Sequence, residues 1–272
     1  MSCFGGGTAN ATTGGSENTS GKESTLLAQN TSALPPFPWQ WIHPPKTATS
    51  FGHPLFMLGC PEDFRKNWTP EELEMHSIHP KLGLRGASPG CRSRWINGDT
   101  AEYRPAWWLG EHASRSPTLS DNQLFITVRE PIDRSISHYY YLKPRGKASE
   151  SEIVDFIIQN RLTELMTGFF FPPHTQGLRN RTDEACQVIQ NAAWVGLTRK
   201  YTQSVCLLHA RFDFPRHPAE SVNMRPGSWP SINKTQVEVL VRQRTEVLDD
   251  VVYQCALERF ESDLELYAPQ CK

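Results

Sequence analysis

The chain has 272 residues, of which 38% are hydrophobic and 21% charged, and its formal net charge is −1. This hydrophobic content is enough for a substantial core, so we expect one large domain or two small ones. The near-zero net charge excludes a bulk attraction to nucleic acid, so any anion site has to be local. No apolar run reaches the roughly 18 residues that a membrane-spanning helix needs.

The first 34 residues are rich in Gly, Ser, Thr and Asn and contain few apolar side chains. Such a segment cannot bury enough surface to fold, so it is predicted to be a flexible stem or linker. The folded domain is predicted to span residues 35–272. The chain opens without the basic-then-apolar pattern of a signal peptide.

Glycosylation sequons give the clearest indication of the compartment. Six of the 11 asparagines start an Asn-x-Ser/Thr triplet, where roughly two are expected by chance: Asn10, Asn18, Asn30, Asn67, Asn180 and Asn233. The excess predicts a secretory lumen, in which some of the seven cysteines pair. The cysteines form no Cys-x-x-Cys pair, which argues against a zinc site. We expect a membrane anchor upstream of this chain.

The first chemically informative stretch is residues 43–51, His-Pro-Pro-Lys-Thr-Ala-Thr-Ser-Phe. It follows an apolar run, residues 37–42, that is typical of a buried strand, and it leads into a predicted helix over residues 51–58. A turn with one lysine and several hydroxyls at a helix start is suited to a phosphate-like group. The lysine is Lys46, and the hydroxyls belong to Thr47, Thr49 and Ser50. The alternative is an ordinary strand-to-helix turn in which one hydroxyl caps the helix.

Proline and glycine interrupt the region from residue 62 to 115, where only one short helix, residues 70–76, and one strand, residues 103–109, are predicted. Its second half has a surplus of basic side chains. From residue 81 to 115 the six basic residues are Lys81, Arg85, Arg92, Arg94, Arg104 and Arg115, and the three acidic ones are Asp99, Glu102 and Glu111. The surplus indicates either a solvated face or a groove for an acidic substrate.

A second motif begins at Leu124–Val128, a β run that leads directly into Arg129 and a helical pattern. Pro131 suits the first helical position, and Glu130 lies where a negative charge favours the helix dipole. The apolar spacing predicts that one face of this helix is core: Ile132, Ile136, Tyr139 and Tyr140.

The remaining pattern alternates helices and strands. Helices are predicted at residues 149–160, 182–191 and 200–210, a strand at residues 193–197, a loop at residues 212–231 and a helical C-terminus. This order predicts an α/β fold with an open, mainly parallel sheet flanked by helices. Ligands are then expected at the carboxyl ends of the strands.

Three segments resemble motifs of one family. Residues 45–50 resemble the 5′-phosphosulfate loop of sulfotransferases, residues 125–141 resemble their 3′-phosphate motif, and residues 194–201 resemble the strand and turn that follow in Golgi glycan enzymes. The resemblance is nearest to the heparan sulfate 2-O- and 6-O-sulfotransferases and covers roughly residues 37–266. The two anion motifs, in this order and each behind a strand, make it fairly specific.

This resemblance implies a sulfotransferase fold, a P-loop-NTPase-like sheet, in a Golgi-lumen enzyme with a type II membrane anchor. It implies 3′-phosphoadenosine 5′-phosphosulfate as donor, an acidic glycan as acceptor, and neither a metal nor nucleic acid. The implied contacts to the 5′ end of the donor are Lys46, Thr47, Ala48, Thr49 and Ser50. Arg129 and Ser137 are the implied contacts to the 3′-phosphate, and Arg225 lies in a Pro/Gly-rich loop expected to close over the donor.

Sulfuryl transfer needs a base for the acceptor hydroxyl and a cation at the leaving phosphate. Lys46 is the expected cation. His112 is the expected base, since it follows a predicted strand end and related enzymes place a catalytic histidine after a comparable strand. Glu111 is the competing base, and adjacent strand residues point to opposite faces, so one of the two is expected to reach the acceptor.

Some positions depart from the family pattern. Ala48 stands where Gly is usual, which weakens donor binding if that position needs φ > 0. The loop is also one residue shorter than in the nearest glycan enzymes, and Arg199 stands where an acidic residue is common. A catalytically silent nucleotide- or glycan-binding protein of the same fold is therefore an alternative. A P-loop kinase would need a Gly-rich loop before Lys46, and none is present.

Overall fold

A computed structural model of the chain describes residues 33–44, 47, 49–61, 89–96, 114–142, 150–157, 161–167, 178–214, 216–217, 220, 233–244 and 248–272. All of these residues belong to one compact unit that spans residues 31–272. The predicted stem lies outside the described residues except for its last two. The helix predicted at residues 70–76 and the strand predicted at residues 103–109 also lie outside them.

A parallel sheet organises the described part of the chain. Its strands are β1 (Gln40–Ile42), β2 (Leu124–Val128) and β3 (Trp194–Leu197), in the order β1-β2-β3. β1 pairs with β2 from Gln40↔Leu124 to Ile42↔Ile126, and β2 pairs with β3 from Phe125↔Trp194 to Val128↔Leu197. Every residue of the three strands is buried, as expected for parallel strands covered on both faces.

A short segment extends the sheet beyond β1. Trp39 and Trp95 form a parallel bridge, in which the Trp39 N–H donates to the Arg94 carbonyl at 2.6 Å. The Ile96 N–H in turn donates to the Trp39 carbonyl at 2.8 Å. The residue just before β1 is therefore paired in parallel with the segment that follows α2.

Helices follow each of the three strands. They are α1 (Gly52–Gly59), α2 (Pro89–Arg94), α3 (Pro131–Leu142), α4 (Glu150–Ile157), α5 (Arg161–Thr167), α6 (Leu178–Asn191), α7 (Tyr201–Phe212), α8 (Lys234–Arg244) and α9 (Leu248–Tyr267). Short 3-10 turns lie at Thr49–Phe51, Asp121–Gln123, Thr198–Lys200 and Pro269–Cys271. The predicted open, parallel sheet with flanking helices is confirmed for the described part of the chain. The expectation that residues 62–115 hold only one short helix is wrong, because α2 also lies there.

Two apolar clusters stabilise these elements. The larger one surrounds the sheet and contains fully buried aromatic side chains, among them Trp39, Phe125 and Trp194. The smaller one joins α3, α4 and α8. Its α3 members are the predicted core positions Ile132, Ile136, Tyr139 and Tyr140, all at most 8% exposed, so that prediction is confirmed.

Disulfides join the C-terminal helix region to the rest of the unit. Cys186 of α6 pairs with Cys255 of α9, and Cys206 of α7 pairs with Cys271, with Cα–Cα distances of 5.6 and 5.8 Å. Cys60 is disulfide-bonded as well. Disulfides persist in oxidising compartments, so the pairs indicate a secretory-pathway environment, which agrees with the excess of sequons. None of the helices in the described residues is long and apolar enough to span a bilayer.

Candidate anion site at the carboxyl edge of the sheet

The parallel register brings the segments that follow the strands to one edge of the sheet. Ile42 pairs with Ile126 and Val128 pairs with Leu197, so His43, Arg129 and Thr198 all leave the sheet at its carboxyl edge. The Thr198 hydroxyl donates to the Val128 carbonyl at 3.1 Å and ties the ends of β2 and β3 together. Both predicted anion motifs therefore begin on neighbouring strands.

The loop after β1 is tied back on itself through Thr47. Its N–H and its hydroxyl both donate to the Pro44 carbonyl, at 3.1 and 2.7 Å, and the side chain is 1% exposed. In this arrangement the hydroxyl proton of Thr47 stabilises the turn. Its place among the donor-binding residues stays a prediction.

The loop continues into a 3-10 turn at Thr49–Phe51 and then into α1. The capping residue Phe51 provides no side-chain hydrogen bond to the start of α1. The Ser50 carbonyl accepts a hydrogen bond of 3.2 Å from the Tyr201 hydroxyl, so this turn is connected to the first residue of α7.

Several predicted site residues lie outside the described residues. They are Lys46 and Ala48 of the loop, the candidate bases Glu111 and His112, and Arg225. Their roles stay predictions. Another histidine of the region, His43, is 1% exposed and stacks on Trp41 with ring centroids 4.0 Å apart, which is a structural position.

At the start of α3 a carboxylate of the chain itself occupies the helix N-terminus. The Glu130 side chain accepts hydrogen bonds from the Ile132 N–H at 3.1 Å and the Asp133 N–H at 2.9 Å. Pro131 is the first helical residue, as predicted. The Glu130 carboxylate, which was expected only to provide a favourable charge, thus caps α3 directly. Because the backbone N–H groups at the start of α3 already have acceptors, an anion there would have to be bound by side chains.

Two cations from other elements neutralise the acidic start of α3. Lys234 of α8 binds Glu130 at 3.1 Å and Asp133 at 2.7 Å. Arg199, which follows β3, forms a short ion pair with Asp133 and lies 3.6 Å from Glu130. Burial alone would raise the pKa of Asp133, but hydrogen bonds from Lys234 and Arg199 outweigh it and hold this pKa below its usual value. Arg199, which departs from the family pattern, therefore has a structural partner.

Arg129 is half-buried and lies beside the charged side chains just described, which are Glu130, Asp133, Arg199 and Lys234. Burial lowers the pKa of its guanidinium, and the charge of Arg199 adds to that effect, whereas Asp133 and Glu130 oppose it. An arginine remains charged at neutral pH even so. The site thus has a partly desolvated guanidinium, whose planar fork suits a phosphate.

Ser137 is the strongest indication of a ligand in the described part of the chain. It lies on α3, eight residues after Arg129, and is 1% exposed. Its hydroxyl oxygen is buried and has no hydrogen-bond partner among the residues that the structure describes. A buried polar group without a partner costs roughly 1–3 kcal/mol, so such groups call for an explanation. A hydrogen-bond acceptor on a ligand is one partner that would satisfy this hydroxyl.

A buried polar network supports the edge from the α7 side. The Tyr201 hydroxyl contacts the Glu220 carbonyl at 2.8 Å in addition to Ser50, and the Glu220 carboxylate lies 2.8 Å from Nε2 of His209. His209 Nδ1 lies 2.8 Å from the Phe214 carbonyl, so this nitrogen carries a proton. Burial, together with the charge of Glu220, raises the pKa of Tyr201, which keeps the phenol neutral and able to donate. No motif in the sequence indicated this network.

The basic surplus predicted between residues 81 and 115 has structural uses at Arg94 and Arg115, whose side chains the structure describes. Arg94 donates to the Gly59 carbonyl at 2.5 Å, and Arg115 pairs with Asp121 at 2.6 Å. These two side chains therefore stabilise the fold. Within the described residues, no cluster of His, Cys, Asp or Glu side chains is arranged to hold a metal ion.

No protein-family model, curated protein or solved structure matches the chain in the comparisons. A functional assignment therefore depends on the motifs and on the geometry of this edge.

Proposed function

We propose that the chain is a sulfotransferase that moves a sulfuryl group from 3′-phosphoadenosine 5′-phosphosulfate to a hydroxyl of a glycan. The observation that carries the proposal is the common edge of β1 and β2, from which the Lys46 loop and Arg129 both depart. The Ser137 hydroxyl, on the helix after Arg129, supports it because no described residue forms a hydrogen bond with it. A donor with phosphate groups on two sides of its ribose requires two such anion-binding segments side by side.

In this proposal each of the two motifs binds one end of the donor. Lys46, Thr49 and Ser50 hold the 5′ end, with Thr47 and Ala48 completing the loop. Arg129 provides a bidentate guanidinium and Ser137 a hydroxyl to the 3′-phosphate. Arg225 belongs to the same donor site. The three parallel strands and flanking helices are compatible with the sulfotransferase type of P-loop-NTPase-like sheet.

The bound donor supplies the sulfuryl group and a phosphate leaving group. Lys46 stabilises the negative charge that builds on the leaving oxygen, and His112 removes the proton of the acceptor hydroxyl, with Glu111 as the competing base. The secretory environment indicated by the disulfides is consistent with the Golgi lumen, where glycan acceptors are found.

A transfer assay tests this function. Purified chain is incubated with sulfate-labelled donor and a panel of acidic glycans, and label in the glycan is measured. Lys46→Ala and His112→Ala are expected to lose activity by about 100-fold or more, while Glu111→Ala keeps it. Equal losses of activity in His112→Ala and Glu111→Ala would contradict the assignment of His112 as the base. Donor binding without any transfer would favour the silent binding protein.

A further inference from the structure

Asn233 occupies a special position at the start of α8. Its side-chain oxygen accepts a hydrogen bond from the Gln236 N–H at 3.2 Å, and its carbonyl accepts the first helical bond from Val237 at 3.1 Å. It is therefore the N-cap of this helix, and its side chain is exposed. The same residue begins the triplet Asn233-Lys234-Thr235.

The cap uses only one end of the Asn233 amide. The oxygen is engaged with the helix, whereas the nitrogen makes no hydrogen bond within the described residues. Thr235, the hydroxyl residue of the triplet, is exposed as well. The cap therefore leaves the nitrogen available for a covalent group on an exposed residue.

We propose that Asn233 carries an N-linked glycan. Its amide nitrogen forms a bond to C1 of the first sugar of a lipid-pyrophosphate-linked oligosaccharide in the secretory lumen. The bond between C1 and the pyrophosphate oxygen breaks, the oxygen keeps the electron pair, and the amide loses one proton. The disulfides indicate that the chain folds in a compartment where this co-reactant is present. The proposal does not depend on the sulfotransferase assignment.

A second sequon within the described helices provides a contrast. The triplet that begins at Asn180 lies inside α6, and its hydroxyl residue, Thr182, is 5% exposed. Accepted sequons belong to accessible surface segments. We therefore expect Asn180 to be unmodified in the folded protein and Asn233 to be occupied.

Glycopeptide mass spectrometry tests the proposal on the full chain, secreted from animal cells behind a cleavable leader. Enzymatic release of N-glycans in heavy-oxygen water converts an occupied asparagine to labelled aspartate, so occupancy is read at each sequon. The expected result is label at Asn233 and none at Asn180. An unlabelled Asn233 in secreted, disulfide-bonded protein would overturn the proposal, and label at Asn180 would overturn the accessibility argument.

Variants separate the glycan from the helix cap. Thr235→Ala and Asn233→Asp are both expected to remove one glycan, seen as a single step in gel mobility. Thr235→Ser is the matched control and keeps the hydroxyl, so it retains the glycan. Asn233→Asp preserves a good N-cap, so secreted yield is expected to stay at the wild-type level. If Thr235→Ala and Asn233→Asp both migrate like the wild type and like Thr235→Ser, occupancy at this site is contradicted.

Discussion

The Ser137 hydroxyl contributes to stability and to ligand binding in opposite ways. It is buried and has no partner within the described part of the chain, so removing it relieves a desolvation cost. We expect Ser137→Ala to leave the free energy of unfolding unchanged or to raise it, while the Kd for adenosine 3′,5′-bisphosphate rises about 10-fold or more. Chemical denaturation and calorimetry measure the two effects.

Ser204 is the matched control for that substitution. It is also a buried serine, but its hydroxyl accepts from the Leu197 N–H at 2.9 Å and lies 2.9 Å from the Lys200 carbonyl. Ser204→Ala is therefore expected to lower the free energy of unfolding by about 1–2 kcal/mol. A comparable loss for Ser137→Ala would show that Ser137 has a structural partner and would remove the argument for a ligand.

Asp250 provides a pH-dependent prediction. Burial raises its pKa to about 6, with Arg242 opposing and the charges of Glu130, Asp249 and Glu238 adding to the shift. The folded-state pKa lies above the unfolded one, so its favourable contribution is full below about pH 4 and is lost as the pH rises through about 6. We expect Asp250→Asn to be more stable than wild type at about pH 7.5 and equal to it at about pH 3.5.

Thermal denaturation across this pH range measures the effect. Asp213→Asn is the control, since Asp213 is exposed and its left-handed backbone, with φ of 47°, suits asparagine. A stability difference between Asp250→Asn and wild type that does not change with pH would contradict the assigned shift.

At the scale of elements, Tyr201 connects α7 to the turn that precedes α1. Its hydroxyl contacts the Ser50 carbonyl and the Glu220 carbonyl. Because Ser50 belongs to the loop proposed for the 5′ end of the donor, Tyr201→Phe is expected to affect binding at that end. The Kd for adenosine 3′,5′-bisphosphate should rise about 5-fold, as for the loss of one hydrogen bond, while the Kd for adenosine 3′-monophosphate stays constant.

Titration calorimetry with the two nucleotides gives this comparison. Tyr267→Phe is the control, because Tyr267 lies at the end of α9 with Arg211 over its ring at 4.7 Å. Equal losses for both nucleotides would mean that Tyr201 supports the fold generally. Absence of wild-type binding would instead contradict the proposed function itself.

The bounds of the strands follow largely from their local sequence. β2 has the predicted bounds because Leu124–Val128 is a continuous apolar run of β-favouring residues. β1 is shorter than predicted, Gln40–Ile42 in place of residues 37–42, since Phe37 is exposed and Pro38 lacks the N–H that a ladder needs. For the three described strands, local composition was sufficient except at this proline, and the strand predicted at residues 103–109 stays a prediction.

Two helices were missed, each for a different reason. α2 begins with Pro89-Gly90, which resembles a break in a sequence, although proline suits the first helical position. α5 is capped from a distance of 86 residues, because Asp249 of α9 accepts the N–H groups of Leu162 and Thr163, both at 2.9 Å. Neither pattern search nor helix propensity detects such a cap.

The candidate site was predictable to a similar degree. The Glu130 cap and the helix after Arg129 follow from residue types at fixed positions, and both are present. The pairing of Arg199 and Lys234 with Asp133 unites three distant segments. The Tyr201 hydroxyl likewise connects α7 to Ser50, 151 residues away. Such contacts depend on the fold, so the sequence alone did not indicate them.

For the whole molecule, the disulfides of α6, α7 and the C-terminus stabilise the unit by restricting the unfolded chain. Cys186–Cys255 closes a sequence separation of 69 residues, and Cys206–Cys271 one of 65. Replacing both cysteines of either pair by serine is expected to cost about 2–4 kcal/mol.

Denaturant unfolding of the two double variants checks this cost. Cys3→Ser, in the predicted stem, is the control and is expected to have no effect on the unfolding transition. Wild-type stability in a double variant, or loss of stability in the control, would contradict this account of the disulfides.

The most direct test of the central claim is calorimetry with adenosine 3′,5′-bisphosphate, the spent donor. The proposed site predicts micromolar binding to wild type that is lost in Arg129→Ala and in Lys46→Ala. Arg181→Ala, which removes a cation of α6 paired with Glu184 at 3.8 Å, is expected to bind like wild type. No heat from the bisphosphate while ATP–magnesium binds would contradict the claim, and silence with both nucleotides would contradict it as well.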